Sequence, residues 1–387
     1  MESKSVAASI IGSHLGREVI PGEVVSVEPD LIMIHDGNTP LFMHHFEERK
    51  VKHPERVVAF TDHFSPPSTI AHAEAVKEYH GFLRQQGIEH VHRFEGIGHQ
   101  LMVELGYARE GMLILGNDTH ATTYGAVGAF SFALGNTDTA YALATGRTWI
   151  RVPESLPIEM KGDMRHATPF DMGLEVIRRL GTDGGEYRSL EFHGRGEISL
   201  DGRMTVSNLS AETGAISAIF ADSGGNSDHA LEMNLSELVP LAAEPFSPSG
   251  VKEVSSLGGV KIQQAIIGSC ASGRLEDIRA AAEILEGERI HGDVRLIVAP
   301  SSQGIFLRSL ELGYIQTLIE AGAVVVSPGC GSCAGIDRGI MASGERTIAT
   351  YSRNYRGRMG PHDAEVYLAS PETVALSALY GEITGRD

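Results

Sequence analysis

The chain has 387 residues, with 32 Lys plus Arg against 50 Asp plus Glu and a formal net charge of -18. That balance opposes sequence-independent contact with a phosphate backbone and excludes nucleic-acid binding as a first reading. No stretch approaches 18 consecutive apolar residues, and the opening MESKSVAASIIGSHLG lacks the apolar core and cleavage pattern of a signal peptide, so a soluble, cytoplasmic protein without membrane contact is expected.

The length exceeds what one hydrophobic core serves and predicts two or three domains. In chain order, the apolar runs RVVAF (56–60) and GMLILG (111–116) flank the helix-length STIAHAEAVKEYHGFLRQQG (68–87), which predicts layered α/β structure. Two prolines in VPESLPIEMK (152–161) suggest a boundary, after which ATPFDMGLEVIRRLG reads as an amphipathic helix closed by glycine. PLAAEPFSPSG (240–250), with three prolines and a closing Ser-Gly, reads as a linker. The expected α/β domains are therefore 1–160, 161–245 and 246–387. In the last, KIQQAIIGSC and DVRLIVAP are expected strands, RLEDIRAAAEILEG a helix, LRSLELGYIQTLIEAG (307–322) one further helix and AVVVSPGC a third strand. This βαβαβ order predicts a parallel sheet, whose ligands gather at the carboxyl ends of strands.

Cys270 and Cys330 both follow predicted strands, and Cys333 completes a C-x-x-C pair in the glycine-rich GCGSCAG. Alone, that pair suits a redox dithiol or half of a zinc site, and Cys270 alone suits a small buried hydrophobe. Three cysteines do not close a disulfide framework, and they fall one short of the four ligands of a structural zinc or an electron-transfer iron–sulfur cubane. Three thiolates on a cubane would leave one iron open as a Lewis acid.

These residues carry a resemblance. IIGSCASGRLEDIRAAAEIL, SPGCGSCAG and SRNYRGR, together with FTDHFSPP, EGIGHQLM, GNDTHATTYGAVGAFSFALGNTDTAYALATGRTW, LEFHGRGEISLDGRMTVSNLSAETGA and VYLASPETVALSALYGEI, resemble the aconitase superfamily, and within it the large subunits of the isopropylmalate dehydratases. The resemblance runs through nearly the whole chain. Within it, Ala271 and Ser272 stand where the family commonly has Thr and Asn, and Ser352 precedes Arg353 where Asn is frequent.

The resemblance implies three-layer α/β/α domains around a central iron–sulfur cleft, without the family's swivelling domain. It implies a 4Fe-4S cluster held by Cys270, Cys330 and Cys333, with one iron not ligated by protein. Asp62 and His63 match the pair that assists departure of a hydroxyl; His99 matches a site histidine with Asp118 as partner. His120 matches another, with Glu191 as its expected orienting carboxylate. Thr119, Arg353 and Arg358 match groups that bind substrate carboxylates, a role suited to the guanidinium fork. A separate small subunit carrying the swivelling domain would complete the site, and the substrate would be a small hydroxy-dicarboxylate, first of all 2-isopropylmalate, then homoaconitate, citramalate or dimethylmalate. Taken singly, any of the 17 histidines is a surface or packing residue, and His44, His45, His53, His80 and His90 are assigned so. A non-catalytic metal-dependent binder, or a zinc protein using three thiols and one histidine, are the readings of another class.

Overall fold

The computed structural model describes residues 5–46, 49–194, 197–221 and 231–385; the outermost residues of the expected first and third domains lie outside this set. The elements up to residue 151 are α1 (Val6–Leu15), β1 (Val24–Val27), β2 (Leu31–His35), β3 (Val57–Thr61), α2 (Ile70–Gln86), β4 (His90–Arg93), α3 (Gly98–Glu104), β5 (Leu113–Gly116), β6 (Phe130–Ala133), α4 (Asn136–Thr145) and β7 (Thr148–Arg151). Local chemistry sets their ends. The Thr69 side chain accepts the His72 N–H at the start of α2, and Gly87 adopts the left-handed conformation that closes it.

Strands β2 to β6 form one parallel sheet in the order β4-β3-β2-β5-β6. Ile32, Ile34, Val57 and Ala59 enter one core, whereas Met33, Val58, Phe60 and Ile114 enter another. Both faces are therefore covered, which accounts for apolar runs without a polar alternate. The strand order reverses between β2 and β5, where two diverging crossovers leave a crevice at the carboxyl ends.

The next elements are β8 (Ser155–Lys161), α5 (Pro169–Leu180), β9 (Ser189–Gly194), α6 (Leu200–Ser210), β10 (Ser217–Phe220) and β11 (Leu231–Asn234). Their strands form a parallel sheet ordered β10-β9-β8-β11. Thr168 and Asp171 make a reciprocal capping box at α5, with Pro169 in its first turn. Strand β8 runs through the boundary expected at 160, because the prolines of VPESLPIEMK lie at or beside strand positions and not in a linker.

The third unit contains β12 (Leu241–Ala243), β13 (Val251–Glu253), β14 (Gln264–Ile267), α7 (Leu275–Leu285), β15 (Arg295–Val298), α8 (Gln303–Glu311), α9 (Tyr314–Glu320), β16 (Val324–Val325), β17 (Arg346–Ala349), β18 (Glu365–Ala369) and α10 (Pro371–Tyr380). They build a sheet ordered β13-β12-β18-β17-β14-β15-β16. The pairs from β18 to β16 are parallel, and β12 is antiparallel to both of its neighbours. Residues 240–250 are thus no linker: they lead in and out of a hairpin at the sheet edge, where prolines cost few ladder bonds. The helix expected over 307–322 is two helices, because Gly313, with φ of 83°, turns the chain between them. Ile266, Ile297 and Ala349 share a core with Phe170, Leu174 and Leu209, so the second unit packs directly on the third sheet. This sheet too reverses its order, between β14 and β17.

Candidate active site

Each reversal point carries polar groups. His35 ends β2 and Asp36 follows it, and after β5 come Asn117 and Asp118; after β14 comes Cys270, and after β17 come Tyr351 to Arg353. The two edges are joined by a hydrogen bond from the Cys330 N–H to the Asp62 carbonyl at 2.7 Å. That bond sets the thiol turn against the end of β3.

Asp36 accepts the backbone N–H groups of Asp62, His63 and Phe64, which fixes the corner that presents Asp62 and His63. Asp62 Oδ1 lies 2.7 Å from His63 Nδ1, and its Oδ2 accepts the Gly98 N–H at 2.7 Å. Burial alone would raise the Asp62 carboxyl; the charge and hydrogen bond of His63, with help from His35 and Gly98, hold it down to about 2. His35 stacks on His63 with ring centroids 4.1 Å apart, and burial plus the His63 charge lower it to about 4. A neutral His35 is consistent with its Nδ1 accepting the Gly37 N–H. His35, Asp36, Asp62 and His63 have ligand atoms within 4.8 Å of one another. Their oxygens already accept backbone N–H groups and His63, so the cluster serves as a scaffold for the Asp62–His63 pair.

The second network centres on Asp118. Its Oδ1 lies 2.9 Å from His99 Nε2 and 3.5 Å from His120 Nδ1, and it caps the following turn by accepting the His120 N–H. Burial would raise Asp118, but His99 and His120 hold it well below the usual carboxylate range. His99 Nδ1 meets the Tyr124 hydroxyl at 3.1 Å, so both nitrogens of His99 are engaged.

The orienting carboxylate of His120 is Glu212, not Glu191. Glu212 Oε1 lies 2.8 Å from His120 Nε2, and the same carboxylate receives Arg353 Nε at 2.8 and 3.0 Å. Glu191 instead accepts the Ser5 hydroxyl and the N–H groups of Val6 and Ala7, stabilising the start of α1. Position within β9 decides this, since the register that buries Glu191 directs it to α1. Glu212 follows α6 in a short turn, within the SAETGA run already part of the resemblance. Thr119 is exposed beside His120.

The three thiols converge on these networks, and none forms a disulfide. Cys270 lies 3.7 Å from Asn208 Oδ1, and Cys333 lies 3.8 Å from Arg358 Nη2. Although burial opposes it, the charge and hydrogen bond of His120 bring Cys270 down to about 7. Burial pushes Cys330 up to about 12 against the pull of His63, and the other two thiols add to the rise. Burial opposes protonation of His63, yet Cys330 and Asp62 together raise it well above the usual imidazole range. Three free thiols, two buried and Cys330 half-buried, gathered beside His63 and His120 form a favourable donor set for a soft cationic group. The donor set therefore fits an iron–sulfur cluster. Arg358 Nε is buried without a partner on the same side, an unspent donor facing the thiol turn. Among the described residues no helix is long and apolar enough to cross a membrane.

The family model for the aconitase family (aconitate hydratase) matches residues 8–223 and 250–381. The chain is 38% identical over 410 residues to 3-isopropylmalate dehydratase large subunit 1 of Methanopyrus kandleri, covering 98% of both chains. It is 41% identical over 420 residues to a probable methanogen homoaconitase large subunit of Methanothermobacter thermautotrophicus, covering 99% of this chain and 98% of that one. The crystal structure of Thermococcus kodakaraensis aconitase X in its holo form superposes with a TM-score of 0.57 over 93% of both chains, at 13% identity, a likeness of fold alone.

Proposed function

This chain belongs to the aconitase family, and from that premise we propose that it is the large subunit of a cytoplasmic iron–sulfur hydro-lyase. Its reaction isomerises a hydroxy-dicarboxylate by removal and return of water, with 2-isopropylmalate and 3-isopropylmalate as the expected pair. The observation that carries the reading is the meeting of three thiols with the Asp62–His63 and Asp118–His120 pairs where the strand ends of the first and third units come together. The domain reading that accompanies it has three α/β units, one for each of the three larger sheets.

Cys270, Cys330 and Cys333 would hold a 4Fe-4S cluster with one iron free of protein ligands, which when bound supplies Lewis-acid polarisation of the substrate hydroxyl. The chain's own groups do the rest. His63 holds a proton opposite the Asp62 contact, on the side that faces the thiols, and is the acid for the leaving hydroxyl. Asp118 and Glu212 fix His120 from both ring nitrogens, giving it one orientation and one protonation state. Arg353, held by Glu212, and Arg358 bind the substrate carboxylates, with Thr119 as a further donor at the cleft rim. The base that removes the carbon-bound proton comes from a small subunit carrying the swivelling domain.

The relative named as a homoaconitase large subunit supports homoaconitate as the second reading. Co-expression with candidate small subunits, followed by assay of hydration of several unsaturated dicarboxylates, tests both. Turnover of the isopropyl-substituted alkene supports the first and of the homologated tricarboxylate the second; turnover of neither contradicts the proposal.

A further inference from the structure

The loop from Gly268 to Gly273 carries the Cys270 thiol and is pinched across its base by two backbone hydrogen bonds between Ser269 and Ser272, with the Ala271 N–H donating to the Ser269 hydroxyl. At both ends the chain passes so close to Ala299 that a Cβ would lie 2.1 and 2.6 Å from its carbonyl oxygen, and both glycines have positive φ, of 128° and 83°. Glycine at each end allows that approach. What that bridge leaves open, the orientation of the Cys270 and Ala271 carbonyls, is set by Arg274, the largest fully buried side chain among the described residues, at 0% exposure.

Its guanidinium donates to four neutral acceptors: the Cys270 carbonyl at 2.8 Å, the Ala271 carbonyl at 3.0 Å, Thr205 Oγ1 at 2.9 Å and Gln100 Oε1 at 3.1 Å. Two successive carbonyls are thus held by one planar fork, which sets the orientation of the peptide that follows Cys270. Gln100 belongs to α3, Thr205 to α6 and Cys270 to the loop after β14, so a single side chain ties together all three units. The other two thiols hang on the first unit through the Cys330 N–H bond to Asp62. All four acceptors are neutral, and the countercharge comes from the nearby Asp277 and Asp201 carboxyls without a direct guanidinium contact, so the buried cation carries a desolvation cost that a hydrophobic side chain would avoid.

We infer that Arg274 is a positioning residue that sets where the Cys270 thiol stands relative to Cys330 and Cys333, and so governs how tightly the chain retains iron. The inference rests on the three-thiol site proposed above. The test is anaerobic loading of the full-length chain with iron and sulfide, reading iron and sulfide per chain, the rate of iron loss to a chelator and the thermal midpoint of the metal-free protein. Arg274→Met should lose about ten- to a hundredfold in iron retention, the range known for groups that orient metal ligands. Arg274→Lys, which keeps one donor, should recover part of it. Gln100→Leu removes only the link to the first unit and keeps the assignment testable if Arg274→Met does not fold; it should lose iron several-fold faster with an unchanged metal-free midpoint. Wild-type retention in every folded variant, or iron loss that merely follows a lowered midpoint, would overturn the assignment. Failure of the wild-type chain itself to take up iron and sulfide would sink the underlying cluster reading instead.

Discussion

The first and third units are joined at their strand ends by the Cys330–Asp62 bond, and their sheets share a topology in which parallel strands reverse order once, between β2 and β5 in one and between β14 and β17 in the other. From the first come His35, Asp36, Asp62, His63 and Asp118, groups that hold and move protons. From the third come Cys270, Cys330, Cys333, Arg353 and Arg358, groups that hold a soft cation and anionic substrates. The difference teaches that one crevice architecture accepts either chemistry, and that function arises where the two edges meet. Glu212 and Asn208, contributed by the turn after α6 and by α6 itself, bridge them through His120, Arg353 and Cys270.

The largest blow to the thiol side is Cys333→Ser. It should abolish the cluster, with iron falling to background and activity with the partner subunit falling more than about a thousandfold; a full cluster in that variant counts against the assignment. On the proton side, His63→Gln should leave iron content unchanged and lower kcat by about a hundred- to ten-thousandfold, the usual contribution of a positioned acid. Equal loss of iron in that variant would erase the distinction between the two edges.

Glu212→Gln attacks the bridge itself and should lower kcat about ten- to a hundredfold through misplaced His120 and Arg353. Glu191→Gln is its control. It should change kcat by less than about twofold while costing about 1 kcal/mol of stability, because it weakens only the start of α1. The reverse pattern of kinetics would restore Glu191 to the site.

That pair of glutamates marks how far the sequence can be read. The apolar strands, the helices with their caps, and the three cysteines were all visible, because periodicity, capping and spacing are local signals. Glu191 and Glu212 were not separable, since each acts across the fold: Glu191 meets a helix start about 185 positions away, and Glu212 meets His120 at a separation of 92. His35 and Asp36 follow an apolar strand as plainly as Asp62 and His63 do, yet only the β2–β3 pairing brings the two corners together. Residues 240–250 looked like a linker because proline content cannot distinguish an edge hairpin from a tether.

A last expected effect, on stability alone, is a difference in pH response. Asp62, depressed to about 2, contributes stability that is present above the ordinary carboxylate value and lost as pH falls from about 4 toward 2. Asp277, at the start of α7 beside the Cys270 loop, is raised to about 7 by burial, though the nearby Arg274 charge pulls it down. The unfolded chain then releases its proton first, so stability falls as pH rises from about 4 to 7. Its partial exposure to solvent trims this to about 1–2 kcal/mol. Asp277→Asn should flatten thermal midpoints across that window and leave the acid limb unchanged; an unaltered slope would show that Asp277 ionises normally.

The central claim, that the meeting of two sheet edges builds a cluster site from three thiols, is tested most directly by the metal content of the chain purified without oxygen. About four iron and four sulfide per chain, as a cubane requires, is the predicted result. Stoichiometric zinc without iron would contradict it.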